Sequence, residues 1–378
     1  MNEITTIFSD SLKGLGRSFM VAHYLPAVVL VIVHLYLLLP MWTGGSSMLV
    51  AGTQQLFLPA SSTVELDSFV DTLLLPLLAS LITLLLLTMP VGVVLAILND
   101  LLIRMFEGKL PWLRWGLLYP LTQRNQVLAQ QHAARYESVT ELQAEYRRVS
   151  SALLQTNQAS ASNNENEAEY LTNLRAQVGL AHQIDAELSQ IHADNPPLVP
   201  RESYRVAPTR FGNVYALAEA YSFERYGVDT VLFWPRLRQL MAKHVPDHSM
   251  LISQQKTTLD LTINAAFVSG LLALEALVSF PFYPSVYFYP LLTVLLLGGG
   301  LAVGFYYAAV GAIFTLGELI KISFDYHRQL ILDAFQINQP DHLMAERDVW
   351  IKLARFIMWG DVSYLLEARA IGEHFREE

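Results

Sequence analysis

The chain has 378 residues, of which 53% are apolar and 16% charged, and its mean hydropathy is +0.33. Soluble domains run nearer about 45–50% apolar and about 25% charged, so the composition points to a bilayer and excludes a disordered, collagen-like or disulfide-scaffold protein. With no cysteine, thiolate nucleophiles and Cys-based zinc or iron–sulfur sites are also excluded, and a formal charge of −9 argues against general nucleic-acid binding.

Residues 1–18 carry Ile4, Ile7, Phe8, Leu12 and Leu15, followed by Phe19, at helical spacing, which predicts an amphipathic helix lying on the membrane or under a bundle. The first apolar run, 19–42, exceeds the core of a cleaved signal and reads as a retained span. A second run covers 69–98, with Pro76 and Pro90 as kink points. Residues 99–122 mix aromatics with arginine, as in Leu110-Pro111-Trp112-Leu113-Arg114-Trp115, and suit an elbow in the headgroup layer.

Residues 123–194 predict a polar helical hairpin. Val139, Leu142, Tyr146, Val149 and Leu153 form one seam, and Leu171, Leu174, Val178, Ala181, Ile184, Leu188 and Ile191 the other. The seam is short and polar for a coiled coil, and acids outnumber bases. It reads as a solvated stalk or as an arm that docks a cytoplasmic protein.

The module 195–257 begins at Pro196, Pro197 and Pro200, which end the hairpin. It then interleaves bases with aromatics. Arg201, Arg205, Arg210, Arg225, Trp234, Arg236 and Arg238 are the candidate lipid or ligand patch; membrane-adjacent packing and anionic headgroups are the readings set against single-stranded nucleic acid. Thr209 is placed to cap a helix starting at Arg210 and Gly227 to end it. The run Pro208-Thr209-Arg210-Phe211-Gly212-Asn213, then Glu224-Arg225-Tyr226-Gly227-Val228-Asp229, then Trp234-Pro235-Arg236-Leu237 resembles the motif set of an uncharacterised family of bacterial multi-span membrane proteins. The resemblance covers about residues 208–265. It implies a bacterial membrane protein and carries no activity with it.

The third and fourth apolar runs are 261–283 and 286–316, within a segment 258–316. Gly300, Gly304, Ala308 and Ala312 recur every four residues in the fourth, a face that lets helix backbones approach, within the chain or between copies. Residues 317–378 predict cytoplasmic helices, with Glu318–Lys321 and Asp325–Arg328 placed to pair and Gly360 as a breaker.

All 25 Lys and Arg residues fall on one side of a four-span threading, with none in the loop between the first two spans and none in the turn around Pro281–Pro284. This places both termini and the middle region in the cytoplasm. Two ionisable groups then lie inside the bilayer. His34 stands eight residues before Trp42 and Glu275 eight before Tyr283, so two spans running outward bring both to one depth. A paired His34 and Glu275 would bury two costly groups together, as interhelical glue or as a proton or ion site.

No Walker, Rossmann, His-Glu-x-x-His or Gly-x-Ser-x-Gly signature occurs. His244 and His248 are separated by Pro246, and no metal or cofactor is expected.

The expected architecture is an all-α integral membrane protein of the bacterial inner membrane, with four transmembrane helices and a cytoplasmic helical domain inserted between the second and third. The expected function is non-enzymatic: scaffold, anchor or membrane subunit of a complex, in contact with lipid, self-associating and able to hold a protein through 123–194. The alternative is a homo-oligomeric ion channel or membrane-perturbing effector. In the cysteine-free background, Ser46→Cys should react with a membrane-impermeant maleimide added outside intact cells; labelling confined to inverted vesicles would overturn the threading.

Overall fold

The computed structural model describes residues 16, 18–43, 75–111, 119–160, 167–193, 200, 205–283 and 287–374. The expected N-terminal amphipathic helix, the first loop and Arg201 lie wholly or largely outside them. Among the described residues the fold is helical, with no strand.

Residues 20–43 form one helical segment broken twice by π-helical turns: Met20–Tyr24, then α1 (Leu25–Val33), then His34–Leu38, then α2 (Leu39–Thr43). Each wide turn precedes a proline at the second position of the next α-helix, Pro26 and Pro40. Proline donates no N–H and its ring crowds the carbonyl four residues back, and a π turn relieves that crowding.

α3 spans Leu75–Glu107 with Pro90 inside it, so the helix continues nine residues past the apolar run. Then follow α4 (Tyr119–Ser160), α5 (Glu167–Ala193), α6 (Arg210–Tyr226), α7 (Thr230–His244), α8 (Pro246–Ser279), α9 (Phe288–His327), α10 (Gln329–Ala334), α11 (Leu343–Trp359) and α12 (Val362–His374). Among the described residues three segments are long and apolar enough to cross a membrane: Leu86–Glu107 of α3, α8 and α9. α8 begins well before its apolar stretch, because Pro246 fits the first turn of a helix, where its missing N–H is no loss.

The chain divides into two units, residues 1–106 with 221–378 and residues 107–220. In the first, Ala27, Leu38 and Met41 pack with Leu95 of α3, Val268, Leu272 and Ala276 of α8, and Leu291 of α9. α8 and α9 run antiparallel. Their close approach is at Gly298, where an added Cβ would stand 2.9 Å from the Ser269 carbonyl and 3.2 Å from the Ala273 nitrogen. Gly300, Gly304 and Ala308 are exposed instead, with open space around the two glycines, and only Ala312 is buried. The helix turns its four-residue small stripe away from α8 because Gly298, not Gly300, meets the α8 backbone.

α7, α10 and α11 form a second core in this unit. Phe233 meets Trp350 edge-on at 5.1 Å, and Trp234 lies 6.1 Å from Phe324. Tyr221 and Tyr226 both donate to the Asp325 carboxylate, at 2.9 and 2.7 Å. Burial, reinforced by Asp325, holds the Tyr226 phenol pushed up to about 12. The expected Asp325–Arg328 side-chain pair therefore does not form. Arg328 reaches the Asp325 backbone carbonyl and the Glu346 carboxylate at 2.6 Å, and Trp350 donates to the same carboxylate. Glu318 and Lys321 do pair, at 2.8 Å.

In the second unit, Gly108 turns the chain with φ +73 beneath the Pro208 ring. Asn125 donates to the carbonyls of Ala207 and Pro208, Asn213 accepts from the Ala207 N–H, and Thr209 caps α6 by accepting from the Gly212 N–H at 2.9 Å. α4 and α5 form the hairpin, about 63 and about 40 Å long at 1.5 Å per residue. Val139 is buried in its seam. The first half of the α5 stripe differs from expectation: Leu171, Leu174 and Val178 face outward, while Tyr170, Asn173, Gln177 and Leu180 are half-buried; Ala181 and Ile184 are half-buried as expected, and the side chains of Leu188 and Ile191 lie outside those described. Over this first half the two stripes lie one residue apart, and the adopted rotation puts the bulky Tyr170 inward.

Gly298→Ala should destabilise the bundle by about 1–3 kcal/mol through overpacking, read as a lower melting temperature in detergent, whereas Gly300→Ala should not. Equal melting of the two variants would contradict the assigned α8–α9 contact.

Candidate functional site

The polar side chains of the bundle converge between residues 18–43 and α8. The two run in the same direction and are joined by four polar rungs. Thr257 donates to Ser18 at 3.1 Å, Asn264 donates to Nδ1 of His23 at 3.0 Å, His34 Nε2 stands 3.1 Å from Glu275 Oε2, and Trp42 donates to Ser279 at 3.3 Å. His23 and His34 are eleven residues apart, as are Asn264 and Glu275, so the two middle rungs are about 16 Å apart along α8.

Each histidine belongs to one of the π turns, a feature frequent at functional positions. At the outer of the two middle rungs, His34 Nδ1 lies 2.9 Å from the Leu30 carbonyl, an acceptor only, so Nδ1 carries its hydrogen. Nε2 then faces Glu275 in ion-pair range without hydrogen-bond alignment, and Oε2 has no other partner. A proton on Nε2 or on Oε2 makes this contact attractive; with neither, two acceptors face each other.

The inner rung belongs to a larger cluster. Pro26 cannot donate to the Ala22 carbonyl four residues back, and the Asn264 amide supplies that carbonyl with a donor at 3.1 Å. The same amide nitrogen lies 2.9 Å from the Asp260 carbonyl and 3.4 Å from Asn99 Oδ1. Asn99 donates to the Asp260 carboxylate at 3.0 Å, and Lys256 bridges both carboxylate oxygens at 3.1 and 2.8 Å. Thr88 donates to the Tyr24 hydroxyl nearby, at 2.9 Å. Between the two rungs the lining is apolar, with Ala27, Val268 and Leu272.

The structure thus brings His34 and Glu275 together. Of the basic–aromatic residues, Arg205 and Arg210 belong to the second unit and Arg225, Trp234, Arg236 and Arg238 to the first. Arg225 is held against Tyr221 and Tyr226, Arg236 donates to the Leu232 carbonyl at 2.8 Å, and Trp234 is packed on Phe324. Arg225, Arg236 and Arg238 are nevertheless exposed. His244 ends α7 and His248 lies in the first turn of α8; no group of three or more metal-ligating side chains occurs among the described residues. His23, Asn99, Asp260 and Asn264 were missed by sequence reasoning. Two signals carried them: the shared eleven-residue interval, and the proline placed four residues after Ala22.

Comparison with protein-family models, curated proteins and solved structures gives no match.

His34→Leu leaves Glu275 without its partner and should destabilise by about 1–2 kcal/mol, the upper range for intramembrane polar contacts. The double variant His34→Leu/Glu275→Leu should recover most of this. Additive losses in the double-mutant cycle, measured by thermal melting, would show the two side chains to be uncoupled.

Proposed function

We propose that the chain is a non-enzymatic, polytopic protein of the bacterial inner membrane that couples a cytoplasmic helical arm to a transmembrane bundle, as a scaffold, anchor or membrane subunit of a complex. In this reading residues 20–43 supply the fourth crossing. They are helical throughout, and the two π turns divide the segment without interrupting it. The charge asymmetry then sets the N-terminus, the 99–260 region and the C-terminus on the cytoplasmic side.

The observation that carries the docking role is the outward stripe of α5. Leu171, Leu174 and Val178 are 45%, 37% and 50% exposed and one helical turn apart on an otherwise polar arm. Burying such a stripe is the usual energetic core of helix-on-helix recognition. A photocrosslinking residue at Leu174 should yield a discrete adduct with another protein in living cells, lost when Leu171 and Val178 become serine. No adduct, or one that survives those changes, would remove the docking role.

The exposed face of Gly300, Gly304 and Ala308 supports self-association through α9. The channel reading draws on the His34–Glu275 contact. It requires a symmetric oligomer that passes ions in liposomes, and the scaffold reading predicts none.

A further inference from the structure

The cluster around Asn264 does more than fill the inner end of the bundle. The Asn264 side chain is completely buried, yet its Oδ1 has no hydrogen-bond partner. Its nitrogen, with two hydrogens to give, faces four acceptors: Ala22 O, Asp260 O, Asn99 Oδ1 and His23 Nδ1. The amide is therefore over-subscribed on one side and idle on the other. A hydrogen from Asn264 to Nδ1 also defines His23 as neutral, with its own hydrogen on Nε2.

We propose that His23 is a proton-binding site at the inner end of the bundle, and that the Asn264 amide turns over when the proton arrives. A proton from the cytoplasmic solvent bonds to His23 Nδ1, and the imidazole becomes a cation with two N–H donors. The Nδ1–H now opposes the Asn264 N–H. Turning the amide by half a revolution brings the idle Oδ1 to accept from Nδ1, and a buried oxygen gains the partner it lacks.

The charges that bear on His23 are the Asp260 carboxylate and the Lys256 ammonium of α8. On α3 the facing side chain of the cluster is the uncharged Asn99, and on the segment itself the neighbouring Tyr24 is tied to Thr88. Asp260 and Lys256 are paired with each other, so the new cation meets an attractive carboxylate and a repelling ammonium together. His23 lies three residues from the start of the helical segment at Met20, so in the proposed threading a proton reaches it from the cytoplasmic side.

The same turn withdraws the amide donor from Ala22 O and from Asp260 O and sets Oδ1 in its place, against those two carbonyls and Asn99 Oδ1, so that attraction gives way to acceptor–acceptor repulsion. One event thus loosens the ties among the first helical segment, α3 and α8. Ser18, whose hydroxyl meets Thr257 one rung inward, is where that loosening should be felt. The inference rests on the cluster geometry and holds whether or not the α5 stripe docks a protein.

The test uses the full chain in lipid nanodiscs. Ser18→Cys introduces the only thiol, and its labelling rate is normalised at each pH to that of the denatured protein. Between about pH 8 and about pH 5.5, the window in which an imidazole titrates, the normalised rate should rise several-fold. In the His23→Gln background, where Oε1 still accepts from Asn264 but cannot take a proton in this range, it should change less than twofold. A flat profile with His23 present, or the same rise with His23→Gln, overturns the proposal. Should Ser18→Cys fail to fold, Thr257→Cys reads the same rung. Nitrogen-15 histidine spectra give a second measure: the resonance lost in His23→Gln should titrate in the native sequence and shift its midpoint in Asn264→Leu. A midpoint unmoved by that substitution would equally sink the coupling.

Discussion

A polar group removed from water must find a partner, and in an apolar helix bundle few are on offer. The architecture of the inner end follows from one instance of this constraint. Pro26 deprives the Ala22 carbonyl of its helical donor, and the helix widens into a π turn. The exposed acceptor is met by Asn264 from α8. That contact fixes the rotation of α8, sets Asp260 against Asn99, and places Glu275 eleven residues later opposite His34. The inner and outer rungs are thus one register decision expressed twice along two parallel helices.

A second set of constraints acts where the chain changes direction. Thr209, Asn213 and Asn125 satisfy the backbone at the start of α6. Gly227 ends the same helix at φ +77, with its N–H on the Phe223 carbonyl and that of Val228 on Ser222, a left-handed termination that a side chain would strain. Asp229 immediately caps α7 by accepting from Leu232 at 3.1 Å. The run from Glu224 to Leu237 is, in physical terms, a stop signal, a turn and a start signal, followed by aromatic packing on Phe324 and Trp350.

The acid–base pairs near the C-terminus show why spacing on one helix is a weak guide to partners. Asp325 and Arg328 are three residues apart, a separation that permits a pair worth little. Two tyrosines from α6 and a glutamate from α11 offer better-buried and better-directed bonds, and each charged group turns to them. The exchange binds α6, α9 and α11 together, which a surface pair on α9 alone would not do.

The amino-acid sequence by itself determined the helical class, the approximate apolar lengths, the helix caps at Thr209 and Gly227, and the shared depth of His34 and Glu275. These are properties of composition, of backbone permission and of residue counting at a fixed rise. Only the tertiary structure decided which face each helix presents. It turned Leu171, Leu174 and Val178 outward, chose Gly298 over Gly300 for close packing, and gathered His23, Asn99, Asp260 and Asn264 from three segments. A rotation of one residue, about 100° on a helix, changes every such contact while leaving the helical pattern intact. Neighbouring stripes in a sequence can therefore look equally apolar, and the choice between them falls to the volumes and unpaired polar groups of the helices that meet.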